Sequence, residues 1–238
     1  MSNSFFRFQQ FVINQDKCAM KVCTDACLFG AWVANMLFLK QLSASTILDA
    51  GSGTGLLSLM LAQKSAAEID AIEIDKNSFE QSLENIQSSR FNNSIKVYQG
   101  DFLNFKYDHK YDLVVCNPPF FIDQLKSAGF DKSNAMHNNT ENFKQLFSFA
   151  KNHISPGGNF AILISHKDLD KAIVWAEQCA LYPAHIAQIQ HSPAHAFLRV
   201  FILFGEIKLD PVLENISINN AENKYDEIFI KLLADYYL

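Results

Sequence analysis

An α/β fold built on a seven-stranded, mostly parallel sheet with an antiparallel hairpin at one end is predicted by three observations. From Thr46 onward, short β-branched apolar runs alternate with longer helical patterns, as strand–helix–strand units require. The first of these runs passes directly into Gly51-Ser52-Gly53-Thr54-Gly55 and then into an apolar helical stretch. The last two runs are separated by Ser192-Pro193-Ala194 and a few neighbours, too little chain for a crossover helix, so they pair as a hairpin.

Taken in order, Thr24 and Asp25 can cap a helix over 26–39. Strands follow at 46–49, 69–74, 95–97, 111–116, 160–165, 184–190 and 198–204, with helices at 55–64, 77–89, 141–153 and 167–179. Asp75 is placed to cap the second of these helices. Pro156-Gly157-Gly158 reads as a turn feeding the fifth strand. Residues 222–237 read as a final acidic helix. The organisation predicted is an N-terminal extension and helix (1–45) covering a ligand site, an α/β core (46–206) and an acidic C-terminal tail (207–238).

Composition sets the class. The 238 residues are 49% hydrophobic and 19% charged, with mean hydropathy −0.01, which fits a globular protein and excludes disordered, collagenous and membrane-spanning chains. The longest apolar stretch, 26–39, is too short to cross a bilayer and contains Asn35. Residues 1–10 lack a basic start followed by an apolar run, so a cytoplasmic location is expected. Five cysteines (18, 23, 27, 116 and 179) form no C-x-x-C pair, so reduced thiols and no metal are expected. Net charge is −5, but 206–238 hold seven acids and three bases, against 18 and 17 in the preceding residues. The body is nearly neutral and does not grip nucleic acid by charge alone.

The glycine loop sits where a strand gives way to a helix, a place where backbone N–H groups can meet a ligand. Its spacing, G-x-G-x-G, differs from the dinucleotide fingerprint, and Leu56 stands where that fingerprint wants its third glycine. Asp49 would repel a pyrophosphate but suits a ligand carrying an amine or a cation, so S-adenosylmethionine fits better than NAD. Glu73 ends the second strand 22 residues after Gly51, where a carboxylate can hold ribose hydroxyls. Asp101 and Phe102 follow the third strand, where they can receive and pack an adenine. Each acid taken singly could equally be a helix cap.

Asn117-Pro118-Pro119-Phe120 follows the fourth strand at the same sheet edge. An exocyclic base amine is a poor nucleophile because its lone pair is delocalised into the ring. The Asn117 side-chain oxygen and the Pro118 carbonyl can each accept one amine hydrogen, which localises the pair. Proline fixes its own φ and keeps its predecessor extended. The Phe120 ring can stack the target base, a contact worth roughly 1–3 kcal/mol.

At these residues the chain resembles the class I methyltransferases of the N6-adenine, N4-cytosine and glutamine-amide type. Asp49, Gly51, Gly53 and Gly55 match their D-x-G-x-G-x-G, and 117–120 match N-P-P-[YF]. Phe8-x-Gln10-Phe11, the run from Asp16 to Gly30, and Ala31-Trp32 are similar to the bacterial tRNA-Val adenine-N6-methyltransferases, and the likeness covers nearly the whole chain. The resemblance implies a Rossmann-like fold, S-adenosylmethionine as cofactor, adenine 37 of a tRNA anticodon loop as target, and Thr24 lining the cofactor site. Phe120 replaces the tyrosine usual in adenine-specific members, while Phe121 keeps the aromatic pair. Alternatives are a guanine-N2 rRNA methyltransferase, a release-factor glutamine-amide methyltransferase, or a non-catalytic RNA-binding scaffold. Arg7, Lys21, Lys126 and Lys132 are candidate RNA contacts, and 122–140 a candidate substrate loop. Phe5, Phe6, Phe8 and Phe11 either pack on the domain or face a ligand. His191 and His195 flank Pro193 and read as loop histidines.

Overall fold

The computed structural model describes residues 3–18, 20–118 and 132–238, with side chains of the last stretch from 143 onward. In chain order the elements are β1 (Phe5–Arg7), β2 (Val12–Asn14), α1 (Thr24–Phe38), β3 (Thr46–Ala50), α2 (Leu56–Ala62), β4 (Glu68–Glu73), α3 (Lys76–Gln87), β5 (Ile95–Gln99) and β6 (Tyr111–Cys116). Then come α4 (Lys132–His153), β7 (Ile154–Ser165), a 3-10 turn (His166–Asp168), α5 (Leu169–Gln178), β8 (Tyr182–Gln190), β9 (Phe197–Gly205), β10 (Val212–Ser217) and α6 (Glu227–Leu233).

Eight strands form one sheet in the order β10-β8-β9-β7-β6-β3-β4-β5. Only β9 runs against the rest, pairing antiparallel with β7 and β8. The central strands are buried on both faces, which is why Ile47, Leu48, Ile72, Val114 and Ile162 read as continuous apolar runs rather than alternating ones. On one face, α1, α2 and α6 cover a core of Leu28, Phe29, Met60, Phe201 and their neighbours. On the other, α4 and α5 cover Phe147, Phe160, Ile186 and Phe204. Among the described residues no helix is long and apolar enough to cross a membrane.

Five details differ from the sequence reading. The β8–β9 hairpin is not terminal, because β10 adds outside β8 in parallel register, Glu214 opposite Ala187. Pro156-Gly157-Gly158 is a bulge within β7 rather than a turn before it: pairing moves from Tyr111–Ile154 to Leu113–Asn159. Gly157 has φ +78° there, and a Cβ on Gly158 would lie 2.9 Å from the Ser155 carbonyl oxygen. The last helix is only Glu227–Leu233, capped by Asp226 accepting from the Ile228 amide at 2.9 Å. Residues before it are held in a turn by Asn220, whose side-chain oxygen accepts from the amides of Glu222 and Lys224. α1 begins at Thr24, with Cys23 as N-cap and no side-chain cap bond; Asp25 instead pairs with Arg199 Nε at 2.9 Å. The fifth detail is α4, which starts nine residues before Glu141, so 132–140 of the expected substrate loop have a helical backbone.

The N-terminal aromatic residues are largely resolved by packing. Phe8 and Phe11 are buried and stack at 4.6 Å, and Phe6 lies against Phe8 and Tyr237. Phe5 alone of the four is exposed.

Candidate active site

The glycine loop turns sharply because all three of its glycines take positive φ: Gly51 +78°, Gly53 +56° and Gly55 +80°. These are conformations that side-chain-bearing residues resist. The space above Gly53 is open, with nothing within 4 Å of a Cβ built there, whereas a Cβ on Gly55 would meet Ser82 Oγ at 2.7 Å. The loop's amides are not free as the sequence suggested. Those of Gly51 and Ser52 donate to the Ile72 carbonyl at 2.9 and 3.0 Å, and Gly53 donates to Glu73 Oε2 at 2.8 Å. The loop is thus tied to the end of the neighbouring strand.

Two carboxylates adjoin it, Glu73 bonded to the loop itself and Asp49 to the helix that follows. Glu73, buried, also accepts from the Asp75 amide through Oε1 at 2.8 Å, so it joins the loop to the start of α3, which Asp75 caps through the Ser78 amide. Each Glu73 oxygen retains a second lone pair. Asp49 lies beneath the loop with no exposed surface, and its Oδ2 accepts from Ser58 N and Oγ at 3.1 and 2.6 Å. Burial pushes the Asp49 carboxyl up to about 6, against the downward pull of Ser58 and with a further upward push from the Glu73 charge.

A cleft enclosing about 480 Å³, part of it open to solvent, runs between residues 51–54 of the loop, 20–23, the start of α1 and Asn117. Asn117 Oδ1 and Ser52 Oγ line this cleft, and each is buried with no hydrogen-bond partner within the protein. Asp49 Oδ1, below the loop, is in the same state. Buried polar atoms are rarely left unpaired, so the site is built to be completed by a ligand with hydrogen-bond donors and a cationic group. That donor and charge set fits S-adenosylmethionine.

The sequence-predicted residues are placed as follows. Asp49, Gly51, Gly53, Gly55, Glu73 and Asn117 converge on one sheet edge, with Pro118 buried beside Asn117. Phe102 comes within 3.9 Å of a Cβ built on Gly51. Asp101 closes its own turn, accepting from Leu103 N at 3.0 Å and Asn104 Nδ2 at 2.6 Å. Thr24 is exposed at the start of α1 and is not among the residues lining the cleft; Arg7 is exposed. Lys21, expected at RNA, lines the cleft instead and is the one charged side chain among the described lining residues, its ammonium donating to the Gln15 carbonyl. Pro119, Phe120, Phe121 and Lys126 lie outside the described residues, and Lys132 opens α4. Among the described residues no group of three or more His, Cys, Asp or Glu side chains converges.

Sequence reasoning missed Ser52 and Asn85. Asn85 on α3 donates to the carbonyls of Thr54 and Asn14, both at 2.9 Å, and accepts from the Asn14 amide. It stitches the N-terminal hairpin to the glycine loop, and no local pattern announces such a role.

Comparison with known proteins extends this geometry. The model of the methyltransferase small domain family matches residues 20–176. A tRNA1(Val) (adenine(37)-N6)-methyltransferase of Bacteroides fragilis is 37% identical over 241 residues, covering all of this chain and 99% of that protein. Proteins of the same name in Cytophaga hutchinsonii and Flavobacterium psychrophilum are 36% and 33% identical, each covered over 99% of its length, against 100% and 98% of this chain. Among solved structures, a predicted O-methyltransferase of Agrobacterium tumefaciens superposes with TM-score 0.69 at 15% identity, over 89% of this chain and 96% of that one. The glycopeptide N-methyltransferase MtfA in complex with S-adenosylmethionine gives 0.54 at 12%, over 75% and 88%. These two likenesses concern the fold.

Proposed function

We propose that this chain, which belongs to the tRNA1(Val) (adenine(37)-N6)-methyltransferase family, transfers a methyl group from S-adenosylmethionine to N6 of adenine 37 in the anticodon loop of a valine tRNA. The observation that carries the reading is Asn117 Oδ1, a buried acceptor in the cleft with no partner of its own. When bound, S-adenosylmethionine supplies an electrophilic methyl carbon on a sulfonium, and its carbon–sulfur bond breaks as the carbon–nitrogen bond forms.

The chain's own residues do the rest. Asn117 Oδ1 and the Pro118 carbonyl each accept one hydrogen of the adenine amine, so the nitrogen pyramidalises and its lone pair faces the methyl. The proton released after transfer passes to water, since a methylated amine bearing an extra proton is a strong acid beside a neutral ring. Glu73 offers its spare lone pairs to ribose hydroxyls, and Phe102 an apolar wall for the adenine of the cofactor, with Asp101 beside it. Lys21 stands against the methionine carboxylate, while buried Asp49 biases the site toward the cofactor's cationic groups. Stacking of the target base is assigned, from the sequence motif, to the Phe120 ring, with Pro119 and the second aromatic, Phe121, as its neighbours in that motif.

Asn117→Ala tests this. It removes an acceptor that matters chiefly as the amine rehybridises, so kcat should fall by about two orders of magnitude, roughly 3 kcal/mol, with S-adenosylhomocysteine affinity unchanged. Near-normal turnover would refute the assignment.

A further inference from the structure

The cofactor elements lie on one side of Asn117 in the sheet. The glycine loop follows β3 and Glu73 ends β4, whereas β7, β9 and β8 run on from β6 in the other direction. The ends of β7, β9 and β8 are thus the part of this edge that the cofactor elements leave clear for an RNA strand. At the usual spacing between strands, β8 is roughly 14 Å from β6, within reach of the nucleotides next to a flipped base.

The surface found there changes character along one strand. Ile186 on β8 is buried in the core, but Gln188 and Gln190, on the same face further along, are polar. Gln188 Oε1 lies 2.6 Å from His166 Nε2, and its amide nitrogen donates to Asn215 Oδ1 at 3.3 Å. Gln190 Nε2 donates to Ser217 Oγ at 3.0 Å. The His166 ring sits 5.3 Å from the ring of Phe197 with 32° between planes, and Leu198 beside it is 57% exposed. The one arginine of this edge, Arg199, is engaged with Asp25.

We propose that His166, Phe197, Gln188 and Gln190 form a reading platform for the nucleotides flanking the target adenine, an inference that rests on the function proposed above. The ring pair offers a face to an unstacked neighbouring base, and the amides offer both donors and acceptors to base edges, which is how single-stranded loops are recognised. Phosphate attraction has little part in it, in keeping with a nearly neutral body.

The test is fluorescence titration of a labelled valine anticodon stem–loop with wild type, Phe197→Ala, Phe197→Tyr and Gln188→Ala. Phe197→Ala should weaken binding by about tenfold, within the range for loss of one stacked base, and Phe197→Tyr should restore it. The slope of log affinity against log salt should stay unchanged, because no phosphate contact is lost. Gln188→Ala should relax the discrimination of the enzyme among stem–loops differing only at the bases beside the target. Unaltered S-adenosylhomocysteine affinity shows that the variants are folded. If wild type methylates the stem–loop and both alanine variants bind and discriminate as it does, the platform is wrong; so it is if the Phe197→Ala loss comes with a shallower salt slope. If wild type neither binds nor methylates the stem–loop, the proposed function falls and the platform with it.

Discussion

At the residue scale the site is governed by carboxylates and acceptors whose partners are incomplete. Asp49 keeps its proton up to about pH 6 because it is buried, against an ordinary value of 3.8. Between those values the folded state binds more protons than the unfolded one, so stability falls as pH rises, and the full cost, about 3 kcal/mol, is present at pH 7. Asp49→Asn removes it: the melting temperature of the variant relative to wild type should climb between pH 4 and pH 7, and a flat difference would show that Asp49 is not so perturbed. Lys21→Met should weaken S-adenosylhomocysteine binding without affecting 5′-methylthioadenosine, which lacks the carboxylate; equal losses for both would dissociate Lys21 from that group. That Asp49, the glycines and Asn117 meet at one sheet edge was legible in the sequence, because each ends or directly follows a parallel strand. That Lys21 lines the cleft was not, since its place depends on how the chain crosses the loop before entering α1.

At the element scale, the glycine loop works as a strand-to-helix joint rather than as an open cradle of amides. The N–H groups of Gly51, Ser52 and Gly53 are spent on Ile72 and Glu73, and Gly55 packs against α3 with left-handed backbone. Gly55→Ala should destabilise the fold by about 1–3 kcal/mol, from left-handed strain and the contact with Ser82, and should weaken cofactor binding with it. Chemical denaturation at the parent's stability would contradict this. The other seven strands of the sheet were readable as short β-branched runs, the central ones unbroken because they are buried on both faces. β10 was not, because Val212 and Leu213 are exposed and Glu214 is held by Trp32 Nε1 at 2.6 Å, with His185 Nε2 3.0 Å away. A strand whose partners are that distant in sequence carries no periodicity to detect. The β7 bulge escaped for a related reason: Pro156-Gly157-Gly158 has the composition of a turn, and only the pairing across to β6 makes it part of a strand.

Across the whole molecule both termini close over the same face of the sheet. Gln9 Nε2 donates to the Ala234 carbonyl at 2.8 Å, and Tyr236 donates to the Met60 carbonyl at 2.8 Å on the helix that follows the glycine loop. The opposite half of the sheet edge, over β7, β9 and β8, is left clear of both termini, and it is there that the proposed platform would meet the nucleic acid. The central claim is adenine-N6 methylation at one position. It is tested most directly by incubating an unmodified valine tRNA transcript with the protein and labelled S-adenosylmethionine and analysing the nucleosides by mass spectrometry, beside the same transcript with guanine at position 37. N6-methyladenosine is expected in the first and no methylated base in the second; equal methylation of both, or none of the first, would overturn the assignment.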